Sequence, residues 1–133
     1  MVITPVYAGL VTLMFVVLSF RVIGSRRQAK VALGDGGNAM LTRRLRVHGN
    51  FAEYAPLAIV LMALAEFQGK PDWLIHSLGI ALLTGRLVHA LGVSREPEDF
   101  RLRVTGMVLT LSVLIIGAVT NIGLPSLSSL FAN

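Results

Sequence analysis

The sequence predicts an all-α integral membrane protein, a four-helix bundle forming one domain over residues 1–133. Three observations carry this expectation. Hydrophobic residues make up 54% of the chain and charged residues only 14%, against about 25% charged in soluble domains; mean hydropathy is +0.72. Four stretches approach the roughly 20 apolar residues that a helix needs to cross a hydrocarbon core about 30 Å thick. The cations gather between those stretches. Intrinsic disorder is excluded, because it needs low hydrophobicity. The absence of cysteine excludes a disulfide framework, a thiolate nucleophile on the protein and a Cys-based metal site.

The first predicted span, about 2–22, is uncharged until Arg21. No basic segment precedes it and no small-residue cleavage site ends it, so it is expected to be a retained helix and not a secretory signal. The second span, about 47–67, is apolar after Tyr54 but carries Glu53 near its start. Between the first two, Gly34-Asp35-Gly36-Gly37-Asn38 is a turn cluster. It has no strand before it and no Gly-Lys-Ser/Thr ending, so it is expected to be a flexible loop without a phosphate. Lys70-Pro71-Asp72 predicts a short turn into the third span, about 73–93, with Trp73 at an interfacial position. That span contains His76, Arg86 and His89. The fourth, about 104–124, has no charge, and the Ser-rich segment 125–133 is expected to lie outside it.

The formal net charge is +5. In a soluble domain such a balance would suggest a nucleic-acid partner; none is expected here, because the placement of the charge explains it. Arg21, Arg26, Arg27, Lys30, Arg43, Arg44 and Arg46 surround the first link, and Arg95, Arg101 and Arg103 the last. The opposite side has only Lys70. Short basic loops stay in the cytoplasm, so both termini are expected on the non-cytoplasmic side. The basic links are then placed to touch anionic membrane lipid.

Ionisable groups inside spans are costly and mark function or pairing. Arg46, Asn50 and Glu53 follow an i, i+4, i+7 spacing that puts them on one helix face. Gly49 beside them permits close helix approach, and Pro56 frees the backbone carbonyl of Ala52. Arg86 and His89 share a face of the third span at a comparable depth. Two readings stand open. Glu53 could pair with Arg86 or Arg103 and tie the helices together. Alternatively, these groups line a pocket open to the cytoplasm, whose guanidinium excess over Glu53 suits an anionic ligand. His48 leaves the Arg46 face and is expected at the surface or interface. His76 is expected to bond a neighbouring helix. No metal site is expected, because His48, Glu53 and His89 follow no ligand spacing.

The segment Leu45-Arg46-Val47-His48-Gly49-Asn50-Phe51-Ala52-Glu53, followed by Pro56-Leu57, resembles the second-helix signature of the MAPEG family. These are membrane-associated proteins in eicosanoid and glutathione metabolism. Gly85-Arg86-Leu87-Val88-His89 resembles the family's third-helix segment. The likeness runs from about Arg21 to Ile122 and is closest in kind to a bacterial, microsomal glutathione transferase-like member in an inner membrane. It implies a homotrimer with glutathione, as cosubstrate, held between neighbouring subunits near the cytoplasmic side. It assigns the tripeptide to Arg46, Asn50, Glu53, Arg86 and His89, and activation of its thiol to Arg103 or Arg101; Arg21 is a weaker match. The prostaglandin-synthase branch differs: it has an Arg where Gly49 stands, and Tyr residues near Val93 and near Gly106 or Met107.

The resemblance therefore implies a glutathione-dependent transferase or peroxidase acting on a hydrophobic small-molecule substrate. A non-catalytic protein of the same fold, binding a lipid or a partner, is the other expectation. A small multidrug exporter would need a carboxylate in the first span, and 2–20 contains none.

Overall fold

In a computed structural model, residues 1–123 are described. Leu124, the predicted end of the fourth span, and the 125–133 segment lie outside the described residues. Four helices follow one another: α1 (Ile3–Ala29), α2 (Ala39–Phe67), α3 (Asp72–Ser94) and α4 (Phe100–Ile122). Each is long and apolar enough to cross a membrane.

At the basic end of the bundle α2 and α4 begin before their predicted spans, at polar side-chain caps. Asn38 Oδ1 accepts the N–H of Leu41 at 3.0 Å and starts α2 about two turns before Val47. Asp99 does the same for α4 through Leu102 N–H at 3.2 Å. Each cap satisfies a donor that the first turn leaves without a helical partner. The Gly-rich link is not loose: Asp35 accepts the Gly37 N–H at 3.0 Å and the Thr42 hydroxyl at 2.7 Å. These bonds, the backbone one first, hold the Asp35 carboxyl below its ordinary value. Arg26 donates to the carbonyls of Ala32 and Gly34. At the other end Gly69, with φ 74°, closes α2, and α3 starts at Asp72 directly after Pro71. The tight turn is thus Gln68–Pro71, slightly earlier than the spacing predicted. Helix α2 runs unbroken through Pro56.

The core is built of small and aliphatic residues: Ala55, Ala58, Met62 and Ala65 of α2 against Ile75, Leu78 and Leu82 of α3. Helices α3 and α4 pack most closely, while α1 leans on α2 and α3 and does not touch α4. Gly106 makes the α3–α4 approach possible, because a Cβ there would collide with the backbone of His89 and of Gly85. Large apolar side chains such as Val6, Leu13, Phe20, Ile80 and Ile115 face outward. This is the reverse of a soluble bundle and what a lipid-facing surface requires.

At the end opposite the basic links, the Glu66 carboxylate caps α1 from outside. It accepts the N–H groups of Val2, of Ile3 at 2.8 Å and of Thr4 at 2.7 Å. Tyr7 Oη and His76 Nδ1 lie 3.0 Å apart and tie α1 to α3, the bond expected of His76. Asn121 of α4 donates to Leu61 O at 2.9 Å, binding α4 to α2.

Candidate functional site

At the basic end an open cavity of about 760 Å³ lies between α2 and the ends of α3 and α4. One wall is the predicted α2 face, with Arg46, Asn50 and Glu53 together and Gly49 between them. Gly49 has no neighbouring atom where a Cβ would stand, so its lack of a side chain widens the cavity. The other wall is His89 and Val93 of α3, Glu98 of the last link and Arg103 of α4.

The electrostatics are uneven. Arg103 is paired with Glu98 at 2.8 Å. Arg43, also on the lining, donates to Arg95 O at 2.9 Å and approaches Glu96 at 3.5 Å, tying the start of α2 to the last link. Among the described residues Arg46 and Glu53 form no ion pair, and both are exposed. The reading in which Glu53 ties helices by pairing with Arg86 or Arg103 is therefore not what the structure contains.

Arg86 is placed differently from the expectation of a wall residue. It is 1% exposed and lies behind the cavity. Its Nη1 donates to Asn50 O at 3.1 Å and Asn50 Oδ1 at 2.9 Å. Its Nη2 lies 3.6 Å from Met107 Sδ, and its Nε has no partner among the described residues. The guanidinium carbon sits 6.0 Å from the Phe51 ring centre and 5.9 Å from that of Tyr54, within reach of cation–π attraction. No carboxylate partners it among the described residues, so aromatic faces and carbonyl oxygens stabilise this buried cation.

His89 Nδ1 lies 3.2 Å from Arg103 O. Of the two fourth-helix candidates Arg103 reaches the cavity, whereas Arg101 is exposed and not on its lining. Arg21 is directed at Ser94 Oγ, 3.3 Å away, and is not on the lining either. His48, expected at the surface, instead packs half-buried against α1: it stacks on Phe15 at 4.7 Å and lies 3.1 Å from Ser19 Oγ. Its imidazole is amphipathic and fills the α1–α2 seam while keeping one polar contact.

Sequence reasoning missed Thr42, Arg43 and Glu98 as lining residues. Extending the Arg46–Asn50 face backwards by one turn reaches Thr42 and Arg43, so that signal was present. Glu98 sits in a short link without periodicity, and only the fold brings it in.

A second, apolar cavity of about 390 Å³ lies between α1 and α2, lined by Val11, Phe15, Phe51, Ala55, Pro56 and Ile59 among others. It occupies the neighbouring face of α2.

The profile of the MAPEG family matches residues 4–123. The chain is 41% identical over 120 residues to inner membrane protein YecN of Escherichia coli K12, covering 90% of each chain. The YecN of Escherichia coli O6:H1 shows the same identity and coverage. No solved structure matches. With four membrane-crossing helices, a profile match over nearly its whole length and close relatives at this identity, the chain is a multi-pass integral membrane protein that belongs to the MAPEG family.

Proposed function

We propose that the protein binds glutathione in the polar cavity and directs its thiolate at hydrophobic electrophiles, as a transferase or peroxidase. The observation that carries this reading is two charges on one wall, Arg46 and Glu53, that form no ion pair among the described residues. They are separated by roughly 10 Å along α2, at about 1.5 Å per residue. That wall suits a short zwitterionic peptide with a carboxylate at one end and an ammonium at the other. A guanidinium binds a carboxylate with charge-assisted hydrogen bonds. The cavity volume lies in the usual range for small-molecule sites, about 300–1,000 Å³.

The chemistry needs no nucleophile from the protein. A thiol with pKa about 8.5 becomes nucleophilic as the thiolate, and a nearby cation favours that anion. Arg103 is the cation on the wall facing α2. The thiolate forms a bond to the electrophilic carbon of the acceptor and the leaving group departs. In the peroxidase case the thiolate attacks a peroxide oxygen, the O–O bond breaks and the alkoxide leaves, giving a sulfenic acid; a second glutathione thiol then condenses with it to the disulfide and water. The apolar cavity between α1 and α2 offers a membrane-soluble acceptor a place beside the peptide. The name of the relative supports an inner membrane location.

The second reading is a protein that holds an anionic ligand without chemistry. Two observations favour it: Val93 stands on the lining near the place where the prostaglandin-synthase branch has a Tyr, and Glu98 offsets the charge of Arg103. Calorimetric titration of the purified protein with glutathione, paired with conjugation of a chromogenic aryl halide, decides. Saturable binding with turnover supports the first reading, and binding without turnover the second. The absence of binding overturns the glutathione assignment.

A further inference from the structure

We infer that Arg86 is a positioning residue that locks the Asn50 side-chain amide with its oxygen inward and its NH2 toward the cavity, so that this wall selects a ligand acceptor group. The inference rests on the polar cavity being the ligand site.

The argument starts from what a guanidinium can do. It has five N–H donors and no acceptor. Arg86 is 1% exposed and lies 2.9 Å from the Asn50 amide through Nη1. The atom facing it must therefore be Oδ1. Turning the amide over would set NH2 against N–H, donor against donor, and would strip a buried cation of a hydrogen bond it cannot replace from water. Arg86 itself has little freedom to move. Met107, Phe51 and Tyr54 surround the guanidinium, and the same Nη1 also holds the Asn50 backbone oxygen at 3.1 Å. With Oδ1 engaged, Nδ2 is the remaining polar atom of Asn50. It has no protein partner among the described residues, and Asn50 is on the cavity lining. Along α2 the wall then reads donor at Arg46, donor at Asn50, acceptor at Glu53. A ligand seated on it places an acceptor, a carboxylate oxygen or an amide carbonyl, against Asn50. Its cationic or N–H group goes to Glu53.

A brace that merely joined α2 to α3 would make no such demand on the cavity side of Asn50. The variant Asn50→Asp separates the two roles. Aspartate keeps the oxygen that Arg86 needs and gives the buried cation a counter-charge, yet it replaces the cavity-facing donor with an anionic acceptor. The experiment has two arms in detergent-solubilised protein. In the first, 15N-labelled wild type is followed by NMR. The Asn50 side-chain NH2 signals, assigned by their loss in Asn50→Asp, are expected to exchange rapidly with water because they face the open cavity. Signals protected from exchange would overturn the proposed orientation, and this arm needs no ligand. In the second, wild type and Asn50→Asp are titrated with glutathione. Asn50→Asp is expected to melt no lower than wild type while losing at least about tenfold in affinity. Wild-type affinity in a folded Asn50→Asp would overturn the selection of an acceptor group while leaving the glutathione site standing. Failure of wild type itself to bind would instead overturn the glutathione reading, with the first arm still deciding the amide.

Discussion

His89 Nδ1 faces the backbone carbonyl of Arg103 at 3.2 Å. A carbonyl only accepts, so Nδ1 carries a proton and donates. The bond joins α3 to α4 one turn into the latter. Replacing the ring without its nitrogen, as in His89→Phe, leaves the carbonyl with one partner fewer. The expected loss is about 1 kcal/mol of unfolding free energy, read by chemical denaturation in detergent. An unchanged midpoint would show that the contact carries no stability.

Gly106 sits at the same crossing. An added Cβ would collide with the His89 backbone and lie 2.6 Å from Gly85 O. Backbone atoms cannot step aside as a flexible side chain can, so Gly106→Ala must push α4 away from α3. Overpacking of this kind costs about 1–3 kcal/mol. Gly49→Ala meets nothing within 4 Å and is expected to melt like wild type. Equal melting of the two alanine variants would refute this account of the crossing.

Much of the fold was legible in the sequence because a bilayer demands long uninterrupted apolar runs, and four such runs stand out. The helix ends at the basic side were not. Hydropathy falls once the chain enters the headgroup region, whereas the helix continues to its cap at Asn38 or Asp99. The Arg46–Asn50–Glu53 wall follows from spacing alone, since i, i+4 and i+7 must share a face. The position of Arg86 does not follow from spacing. An intramembrane Arg is costly wherever it lies, and only the packing of Phe51, Tyr54 and Met107 shows that it is buried behind Asn50. Likewise, a two-residue spacing cannot separate Arg101 from Arg103 until the tilt of α4 is known.

Glu66 is a further group whose role no local pattern reveals, because its partners lie at the other end of the chain. Its carboxylate accepts three N–H groups at the start of α1, from Val2, Ile3 and Thr4. A negative charge there also complements the helix dipole. Glu66→Ala is expected to cost about 1 kcal/mol, the usual worth of an N-terminal cap, and to speed amide exchange at residues 2–4. Glu66→Gln, which keeps one acceptor oxygen, should lose less. Exchange rates unchanged in Glu66→Ala would show that the α1 terminus is held by its apolar packing.

The cation distribution makes the assembly testable as a whole. A cytoplasmic reporter fused after Asn133 is expected to be inactive, and one inserted at Gly36 active. The reverse pattern would invert the topology. Arg46 and Glu53 are exposed in the single chain at a depth where ionisable groups are costly to leave in lipid. A neighbouring subunit that covers them removes that cost, and three subunits is the number the family implies. Native mass spectrometry in mild detergent should show a trimer; monomer or dimer alone would exclude it.

The polar cavity makes the sharpest demands. Arg46 forms no ion pair among the described residues, so on the proposed reading Arg46→Ala removes a charge-assisted hydrogen bond to the ligand carboxylate. Such bonds contribute about 1.5–3 kcal/mol, and solvent exposure of Arg46 puts the loss at the lower end, roughly tenfold in glutathione affinity. Glu53→Gln keeps an oxygen acceptor for the ligand's N–H groups and should weaken binding less than Glu53→Ala. If Arg103 acts on the sulfur as proposed, and not on the peptide's anchors, Arg103→Ala should lower turnover more than affinity. The same change frees Glu98, whose unpaired charge would disfavour the thiolate further. Arg101→Ala, outside the lining, should alter neither quantity. The measurement pairs titration with aryl-halide conjugation on each variant. If Arg46→Ala and Arg103→Ala both behaved as wild type, the cavity would not be where glutathione is held or activated, because the cation of the α2 wall that forms no ion pair among the described residues and the Arg of the opposing α4 wall would then be dispensable together.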